Sequence, residues 1–231
     1  MSGVLYLVAT PIGNMGDITL RAIDILREVD LVAAEDTRRT KTLFSRHGVR
    51  TALTSYHEHN ERAKAAQLLL KLEEGASVAV VSDAGTPGIS DPAYRLVSQA
   101  AAKGIRVVPV PGASSVLAAL TASGLPTDRF VFEGFLPWKK GARTARLNEL
   151  AAEKRTIIFF ESPHRILKLL GELEDLWGPR QVAVARELTK RFEEVLRGTA
   201  ASVKSTLEKR GKTRGEFVVV AEGLRRRERE R

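Results

Sequence analysis

Three loops rich in glycine and proline carry the residue types best suited to holding a ligand. Each follows a short apolar run: PIGN after residues 4–10, DAGTPG after residues 77–82, and PGASS after residues 106–110. Glycine lets a backbone approach a ligand closely and exposes its amide and carbonyl groups. Asp83 adds a carboxylate, and Ser114 and Ser115 add hydroxyls at a predicted helix start. Each loop alone is also explained as an ordinary turn, but the three together favour one shared ligand site.

Several familiar ligand-binding and catalytic motifs are missing from the sequence. It contains neither a GxGxxG dinucleotide fingerprint nor a GxxxxGK[ST] phosphate loop, and it has no GxSxG nucleophile elbow. The lack of cysteine excludes disulfides, thiolate metal sites and a cysteine nucleophile. His57, Glu58 and His59 form HEH rather than HExxH, which favours a polar or substrate-facing loop over a metal site. We therefore expect no metal.

Short apolar runs alternate with helical patterns, and these elements must position the three loops. Strands are predicted in the first half at residues 4–10, 31–34, 51–55, 77–82 and 106–110, with helices between them at 19–29, 37–47, 60–74 and 93–103. This β-α-β-α order implies a mostly parallel sheet covered by helices, so all three loops emerge at its carboxyl edge. Further strands are predicted at residues 130–133, 156–161, 181–186, 193–197 and 216–222.

The predicted fold class is α/β, with two α/β domains. Residues 1–112 form the N-terminal domain, residues 113–126 a helical connection, and residues 127–223 the C-terminal domain. Residues 224–231 form a charged tail that is too polar to pack, and we expect it to be disordered. No apolar run approaches membrane-spanning length and the start lacks the layout of a signal peptide, so we expect a cytoplasmic protein that does not bind membranes.

The positive charge of the chain is concentrated in its second half. Within a net formal charge of +9, residues 1–124 contain 13 Lys and Arg against 12 Asp and Glu, whereas residues 125–231 contain 24 against 16. A basic half beside a nearly neutral one indicates a polyanionic partner held mainly by the C-terminal half. We favour nucleic acid over the alternative of a merely soluble basic surface.

Seven segments occur in an order that resembles one known family: LVATPIGNMGDITLRAIDIL, VAAEDTRRT, VSDAGTPGISDPAYRLV, PGASS, FEGFLP, FFESPHR and RGEFVVVAEG. From about Leu5 to Gly223 the chain resembles the ribosomal RNA small subunit methyltransferase I family. These are cytidine 2′-O-methyltransferases of the tetrapyrrole methylase (class III) superfamily. The usual Gly-Asp-Pro of that superfamily reads Ser82-Asp83-Ala84 here, which argues against corrin or porphyrin precursors as substrates.

The resemblance implies a tetrapyrrole-methylase-like fold with S-adenosylmethionine in the cleft between the two domains. It also implies a homodimer, and as substrate a cytidine of 16S ribosomal RNA in an assembled small ribosomal subunit. Backbone groups of the three loops would hold most of the cofactor. The residues carried over by motif come from these loops and from FFESP: Ile12, Gly13, Asp83, Ala84, Gly85, Thr86, Ser114, Ser115 and Phe160.

Methyl transfer from a sulfonium needs no metal, because the donor is already activated. The protein must align an oxygen with the methyl group and handle one proton. Candidates for the proton step lie at or just beyond the ends of predicted C-terminal strands: Glu133, Glu161 and Lys190. Each carboxylate is explained equally well as a surface charge or an ion-pair partner, although Glu133 and Glu161 directly end apolar strands, which favours a functional role.

A cluster beside FEGFLP combines an aromatic residue with four cations: Trp138, Lys139, Lys140, Arg143 and Arg146. Cations contact phosphate and an aromatic ring stacks on an unpaired base, so the cluster predicts RNA contact. The alternative is a solvated helix face with Trp138 anchored in the core. Arg165 and Arg186 are further candidates for holding a phosphate. A second basic cluster precedes the last strand and contains Lys209, Arg210, Lys212 and Arg214.

Two other functions remain open at this point. One is a small-molecule tetrapyrrole methyltransferase, against which the basic second half and the missing Gly-Asp-Pro both argue. The other is a non-catalytic RNA-binding ribosome assembly factor that retains the cofactor pocket. Such a factor would bind RNA without transferring a methyl group to it.

Overall fold

The computed structural model describes residues 2–211 and 213–224 of the 231-residue chain. The chain divides into two compact units, Met1–Ser114 and Ser115–Arg231. Lys212 lies outside the described residues, and so does the tail predicted to be disordered, apart from Leu224. Within the described ranges, no helix combines the length and the apolar composition that crossing a membrane requires.

The first unit is a parallel sheet of five strands in the order β3-β2-β4-β1-β5. The strands are β1 (Val4–Val8), β2 (Leu31–Ala34), β3 (Leu53–Ser55), β4 (Val78–Val81) and β5 (Arg106–Val110). The helices are α1 (Leu20–Glu28), α2 (Thr37–His47), α3 (Glu61–Glu73) and α4 (Ala93–Ala102), and Met15–Asp17 adds one 3₁₀ turn.

Both faces of this sheet are buried, as the apolar run in β4 requires. Val78 and Val80 point into a core shared with α3 and α4, whereas Ala79 and Val81 point into a core shared with α1 and α2. Successive side chains of a strand point to opposite faces, so a strand buried on both sides reads as a continuous apolar run. The helices therefore leave the ends of the strands, and the loops beyond them, as the place for a ligand.

The second unit is a mixed sheet of five strands in the order β6-β7-β10-β8-β9. Its strands are β6 (Phe130–Phe135), β7 (Thr156–Glu161), β8 (Gln181–Arg186), β9 (Glu194–Thr199) and β10 (Phe217–Ala221). Its helices are α5 (Ser115–Ser123), α6 (Lys140–Leu150), α7 (Ile166–Trp177) and α8 (Ala200–Lys209). β6 and β7 are parallel, β10 is antiparallel to both β7 and β8, and β9 is antiparallel to β8. The predicted α/β class is confirmed.

The segment predicted as a helical connection contributes its helix to the core of the second unit. Val116, Ala119 and Leu120 of α5 pack in one cluster with Ile158 of β7 and Val220 of β10. Helices α6, α7 and α8 cover the other face of the same sheet. α5 is thus part of a packed layer, because its apolar side chains need a sheet face on which to be buried.

Candidate functional site

The first two glycine-rich loops are joined directly to each other at the carboxyl edge of the first sheet. β4 and β1 are parallel neighbours, so the loops that follow them leave the sheet side by side. The Thr10 amide donates to the Gly85 carbonyl at 2.9 Å, and the Gly85 amide donates back to the Thr10 carbonyl at 3.1 Å. The Thr10 hydroxyl also donates to the Ser82 carbonyl at 3.1 Å. The two loops therefore form one connected surface.

The third loop closes on the other two through a hydrogen bond and a tight backbone contact. The Thr86 hydroxyl donates to the Ala113 carbonyl at 3.4 Å. A Cβ atom at Gly112 would lie 2.9 Å from the Cβ of Ala9, so only glycine allows the third loop to pack this closely on the first. Gly85 has φ +82, a left-handed conformation that a larger residue rarely adopts. Glycine in these loops thus serves their mutual packing.

Of the residues expected to hold the cofactor, those in the three loops up to Ser114 lie at this edge, whereas Ser115, the first residue of α5, and Phe160 belong to the second unit. Ile12 and Gly85 are buried, whereas the other loop residues in this set are exposed or partly exposed: Gly13, Asp83, Ala84, Thr86, Ser114 and Ser115. Phe160 is partly buried in β7, with its ring 4.9 Å from that of Phe132 and 5.5 Å from that of Phe135. The sheet-edge rule therefore accounts for the loop residues but not for Phe160.

Asp83 is the centre of a charged network at the same edge. Its carboxylate accepts from the Asp36 amide at 2.9 Å and pairs with the Arg39 guanidinium at 3.3 Å. The Asp83 amide in turn donates to the carboxylate of Glu35 at 3.2 Å. Arg38 donates hydrogen bonds to the Asp36 carboxylate from its side chain, which has the largest effect, and from its backbone amide. These bonds lower the pKa of Asp36 to about 2. The loop after β2 is therefore part of the candidate site.

Glu35 is a site residue that the sequence reasoning missed. It directly ends the apolar strand β2, as Glu133 and Glu161 were expected to end theirs. The segment VAAEDTRRT supported the family resemblance, but its carboxylates were not among the predicted site residues. The signal was therefore present, because the rule that singled out Glu133 and Glu161 also applies to Glu35.

Replacing Glu35 with Gln is expected to raise the free energy of unfolding at pH 7 more than at pH 4. Burial raises the pKa of Glu35, the charges of Asp83 and Asp91 add to the increase, and the hydrogen bond from the Asp83 backbone only partly opposes them. The folded protein thus binds the proton more tightly than the unfolded chain. That contribution to stability is fully present below the ordinary value of 4.5 and is lost as the pH rises through the folded pKa.

Urea unfolding at both pH values measures this difference. Gln cannot ionise, yet its amide oxygen can still accept from the Asp83 amide, so the substitution removes mainly the cost of a buried charge. Glu58→Gln is the matched control, because Glu58 is exposed in the same unit. An equal effect of Glu35→Gln at pH 4 and pH 7 would contradict the explanation.

In the second unit, Glu133 and Lys190 are held by ion pairs. Both carboxylate oxygens of Glu133 accept from Arg146 at 2.7 Å, and Arg146 also reaches Glu149. Lys190 donates to Glu187 and to Glu216, each at 2.9 Å. Burial would lower the pKa of Lys190, but its hydrogen bonds to Glu216 and Glu187 outweigh burial and leave the pKa raised. Lys190 is therefore a cation rather than a base.

Glu161 and Arg143, predicted as a base and as an RNA contact, form a buried pair. The Arg143 side chain is 1% exposed and that of Glu161 is 0% exposed, with 3.2 Å between them. Arg143 also donates to Glu172 at 2.5 Å, and Arg165 lies 3.4 Å from Glu161. A base must reach the proton that it removes, and a phosphate contact needs an accessible cation. Their burial therefore argues against Glu161 as the base and Arg143 as an RNA contact, and both roles stay untested predictions.

Trp138 is 81% exposed, so it is not the core anchor that the alternative interpretation required. The Arg165 guanidinium lies over its ring at 4.5 Å and donates to the Leu136 carbonyl at 2.9 Å. Lys139 and Lys140 follow Trp138 and are exposed. Another predicted RNA contact, Arg186, is partly buried and pairs with Glu194 at 3.0 Å.

No group of three His, Cys, Asp or Glu side chains is arranged to hold a metal ion within residues 2–211 and 213–224. The HEH segment places the rings of His57 and His59 6.0 Å apart, edge to face. His57 also contacts the Asn60 amide through its Nε2 atom at 3.2 Å.

Comparison with known proteins identifies relatives along most of the chain. The family described as Tetrapyrrole (Corrin/Porphyrin) Methylases matches residues 4–204. A protein of Mesorhizobium japonicum named ribosomal RNA small subunit methyltransferase I is 54% identical over 216 residues, which cover 93% of this chain and 74% of that protein. A protein of the same name from Pseudomonas aeruginosa is 50% identical over 224 residues, covering 96% of this chain and 79% of its own length.

Solved structures share the fold at lower sequence identity. The methyltransferase CobJ has a TM-score of 0.69 at 21% identity, with 98% of this chain and 97% of that chain covered. The uroporphyrin-III C-methyltransferase of Thermus thermophilus, solved in complex with S-adenyl homocysteine, has a TM-score of 0.66 at 19% identity, with 95% and 97% covered. These structures establish the fold alone.

Proposed function

We propose a function from the family of this chain, which belongs to the tetrapyrrole (corrin/porphyrin) methylases and within them to the ribosomal RNA small subunit methyltransferase I proteins. The proposed function is methylation of small-subunit ribosomal RNA with S-adenosylmethionine. The proposed acceptor is the 2′-hydroxyl of a cytidine in 16S ribosomal RNA. The observation that carries the proposal is the match to relatives of that name at about half identity over nearly the whole chain. The three joined loops at one sheet edge supply a place for the donor.

The residues at the edge of the first sheet fit S-adenosylmethionine by their chemistry. When bound, the cofactor supplies an activated methyl group on a sulfonium, beside a cationic ammonium and an adenosine. The Asp83 carboxylate is 28% exposed and suits a cationic ligand. Gly13, Ala84 and Thr86 are exposed, and their backbone groups suit the polar groups of adenosine. We propose that these residues hold the cofactor, together with Ile12, Gly85, Ser114, Ser115 and Phe160.

The second unit is proposed to bind and orient the RNA. Exposed Trp138, Lys139 and Lys140 suit an unpaired base and its phosphates. Arg165, Arg186 and Arg146 are proposed to hold phosphates nearby through their guanidinium groups. Lys190 would place a positive charge beside the RNA backbone. Glu133 remains the candidate to accept the ribose proton, and it would have to exchange its contact with Arg146 for the hydroxyl.

The proposed setting is the cytoplasm, where the chain acts as a homodimer on an assembled small subunit. A small-molecule tetrapyrrole methyltransferase is the competing function, since solved structures of this fold include such enzymes. The Ser82-Asp83-Ala84 sequence and the excess of Lys and Arg after residue 124 favour RNA.

The decisive experiment incubates the protein with small ribosomal subunits and S-adenosylmethionine labelled on its methyl group. The RNA is then digested to nucleosides and analysed by mass spectrometry, with naked small-subunit RNA and a tetrapyrrole as parallel substrates. The label is expected on the ribose of a cytidine. Label on a base would refute the 2′-O assignment, label on the tetrapyrrole would favour the competing enzyme, and RNA binding without transfer would indicate a non-catalytic factor.

Replacing Lys139 and Lys140 together with Glu is expected to weaken RNA binding while leaving cofactor affinity unchanged. Each lost phosphate contact reduces the steepness with which log affinity falls against log salt concentration by roughly 0.7–0.9. The double variant should therefore show a slope that is shallower by about 1.4–1.8. Filter binding at several salt concentrations measures the change, and calorimetry follows the cofactor.

Arg129→Glu with Lys154→Glu is the control of equal charge. Both residues are exposed and lie at the opposite edge of the same sheet, just before β6 and β7. If the control variant lost as much RNA affinity as the Lys139 and Lys140 variant, RNA binding would depend on overall charge rather than on this site.

A further inference from the structure

The topology of the second sheet gathers several loops at one edge. β6, β7 and β8 end there, and β9 and β10, which run the opposite way, begin there. The segments at this edge are 136–140, 162–165, 187–193, 210–211 and 213–216, and their described residues include seven Lys or Arg and three Glu. The edge is therefore positively charged, as a surface that faces RNA would be.

The loop between β8 and β9, residues 187–193, is held in an unusual conformation. Glu187 has φ 51 and Thr189 has φ 66, although neither is glycine. Such conformations are strained for residues other than glycine and persist only where neighbouring contacts impose them. The Glu187 and Glu216 backbones are joined at 3.0 Å, and Lys190 links the side chains of both. These contacts thus hold the loop in one conformation.

The loop between β8 and β9 exposes an aromatic ring and a cation to solvent. Phe192 is 68% exposed, and the Arg191 guanidinium lies 5.5 Å from the centroid of the Phe192 ring. Trp138 and Arg165 make the same kind of pair at the other end of the same edge. Strands lie about 4.7–4.9 Å apart, so three or four strand spacings separate the two pairs by roughly 14–20 Å.

We propose that Phe192 with Arg191 is a second base-stacking position, which holds an unpaired nucleotide of the same RNA strand whose neighbouring segment stacks on Trp138. The inference rests on the proposed function and adds to it a contact on the far side of the sheet edge. An exposed aromatic ring with an adjacent cation suits a base and its phosphate, and the charge of the edge is complementary to RNA.

Phe192→Ala is expected to weaken affinity for small-subunit ribosomal RNA by about 5- to 150-fold, the range typical for one stacked base. Affinity for S-adenosylmethionine should not change. Phe130→Ala is the matched control, because Arg129 and Phe130 repeat the Arg-Phe pair at the opposite edge, where Phe130 is 38% exposed. Filter binding compares the affinities of wild type, Phe192→Ala and Phe130→Ala for the ribosomal RNA and for an unstructured oligouridylate.

A second variant tests stacking itself. In a Trp138→Phe background, Phe192→Trp should bind RNA as tightly as the background protein, and RNA should quench the fluorescence of the new indole. Phe192→Leu keeps an apolar side chain without a π-face, and it should lose affinity as the alanine variant does. Trp177, which is 6% exposed, remains as an internal reporter of folding.

The outcomes separate this inference from the proposed function. If the wild-type protein transfers no methyl group to ribosomal RNA, the proposed function fails whatever Phe192 does. If the wild type is active and Phe192→Ala binds RNA as tightly as Phe130→Ala, only the stacking position is overturned. A change of oligomeric state in Phe192→Ala, seen by sedimentation velocity, would instead assign the ring to a protein contact and would also overturn it.

Discussion

Replacing Arg143 with Met is expected to lower the free energy of unfolding of the second unit by about 3–5 kcal/mol, the usual cost of removing one partner from a buried ion pair. The guanidinium lies between Glu161 and Glu172, and its side chain is 1% exposed. Without it the Glu161 carboxylate keeps Arg165 as a partner at 3.4 Å, but it remains buried with one cation fewer. Burying a poorly compensated charge is what makes the substitution costly.

Urea unfolding followed by tryptophan fluorescence measures this effect in the second unit, which contains both tryptophans of the chain, Trp138 and Trp177. Trp177 packs in the same core, and its indole donates to the Leu147 carbonyl of α6 at 3.0 Å. Lys140→Met is the control, because Lys140 is exposed at the start of the same helix and its loss should change stability by no more than about 0.5 kcal/mol. Adding Glu161→Gln to Arg143→Met should recover part of the loss, since the pair is then removed together.

The same variant also tests whether Arg143 contacts RNA. Under conditions where it is folded, Arg143→Met should show the wild-type salt dependence of RNA binding, because a buried guanidinium neutralises no phosphate. A salt slope reduced by about one unit, with stability unchanged, would restore Arg143 as an RNA contact.

Replacing Asp83 with Ala is expected to weaken binding of S-adenosylmethionine by about 10- to 150-fold, which corresponds to roughly 1.5–3 kcal/mol for a hydrogen bond to a charged group. The Asp83 carboxylate is partly exposed at the proposed cofactor site and also holds the Asp36 amide and Arg39. The variant thus loses a carboxylate suited to a cationic ligand, together with the anchor of the loop after β2. Isothermal titration calorimetry measures the affinity.

Asp30→Ala is the matched control for this measurement. Asp30 lies at the amino edge of the same sheet, where its carboxylate accepts from the Ser77 amide at 2.8 Å and the Ser77 hydroxyl at 2.7 Å. Its removal should leave cofactor affinity intact. If Asp83→Ala bound the cofactor as well as wild type, Asp83 would not belong to the site, whereas equal losses in both variants would indicate destabilisation of the unit.

Much of the first unit was predictable from local patterns in the sequence. Continuous apolar runs such as VAVV indicate strands buried on both faces, and their alternation with helices implies parallel pairing. Parallel pairing places the loops after β1, β4 and β5 at one edge, and the hydrogen bonds between Thr10 and Gly85 and between Thr86 and Ala113 are consistent with that expectation. Glu35 was missed although the same rule applied to it.

The charged residues of the second unit were much less predictable. Glu133, Glu161 and Arg143 all stand in segments that suggest function, yet the side chains with which they share hydrogen bonds lie 13 to 29 residues away along the chain. Sequence spacing does not state which Arg reaches which Glu, because that depends on how α6 and α7 pack on β6 and β7. Phe192 was missed for a related reason, since only the strand order places it at the same edge as Trp138.

The sequence by itself determined the family, the strands and the glycine-rich loops, because these depend on residue types and on periodicity over a few neighbouring positions. The tertiary structure alone decided which charges are buried in pairs and which cations and rings remain exposed. Burial and pairing are set by contacts between residues distant in the chain, and the free energy of a charge depends on its surroundings far more than on its neighbours in sequence.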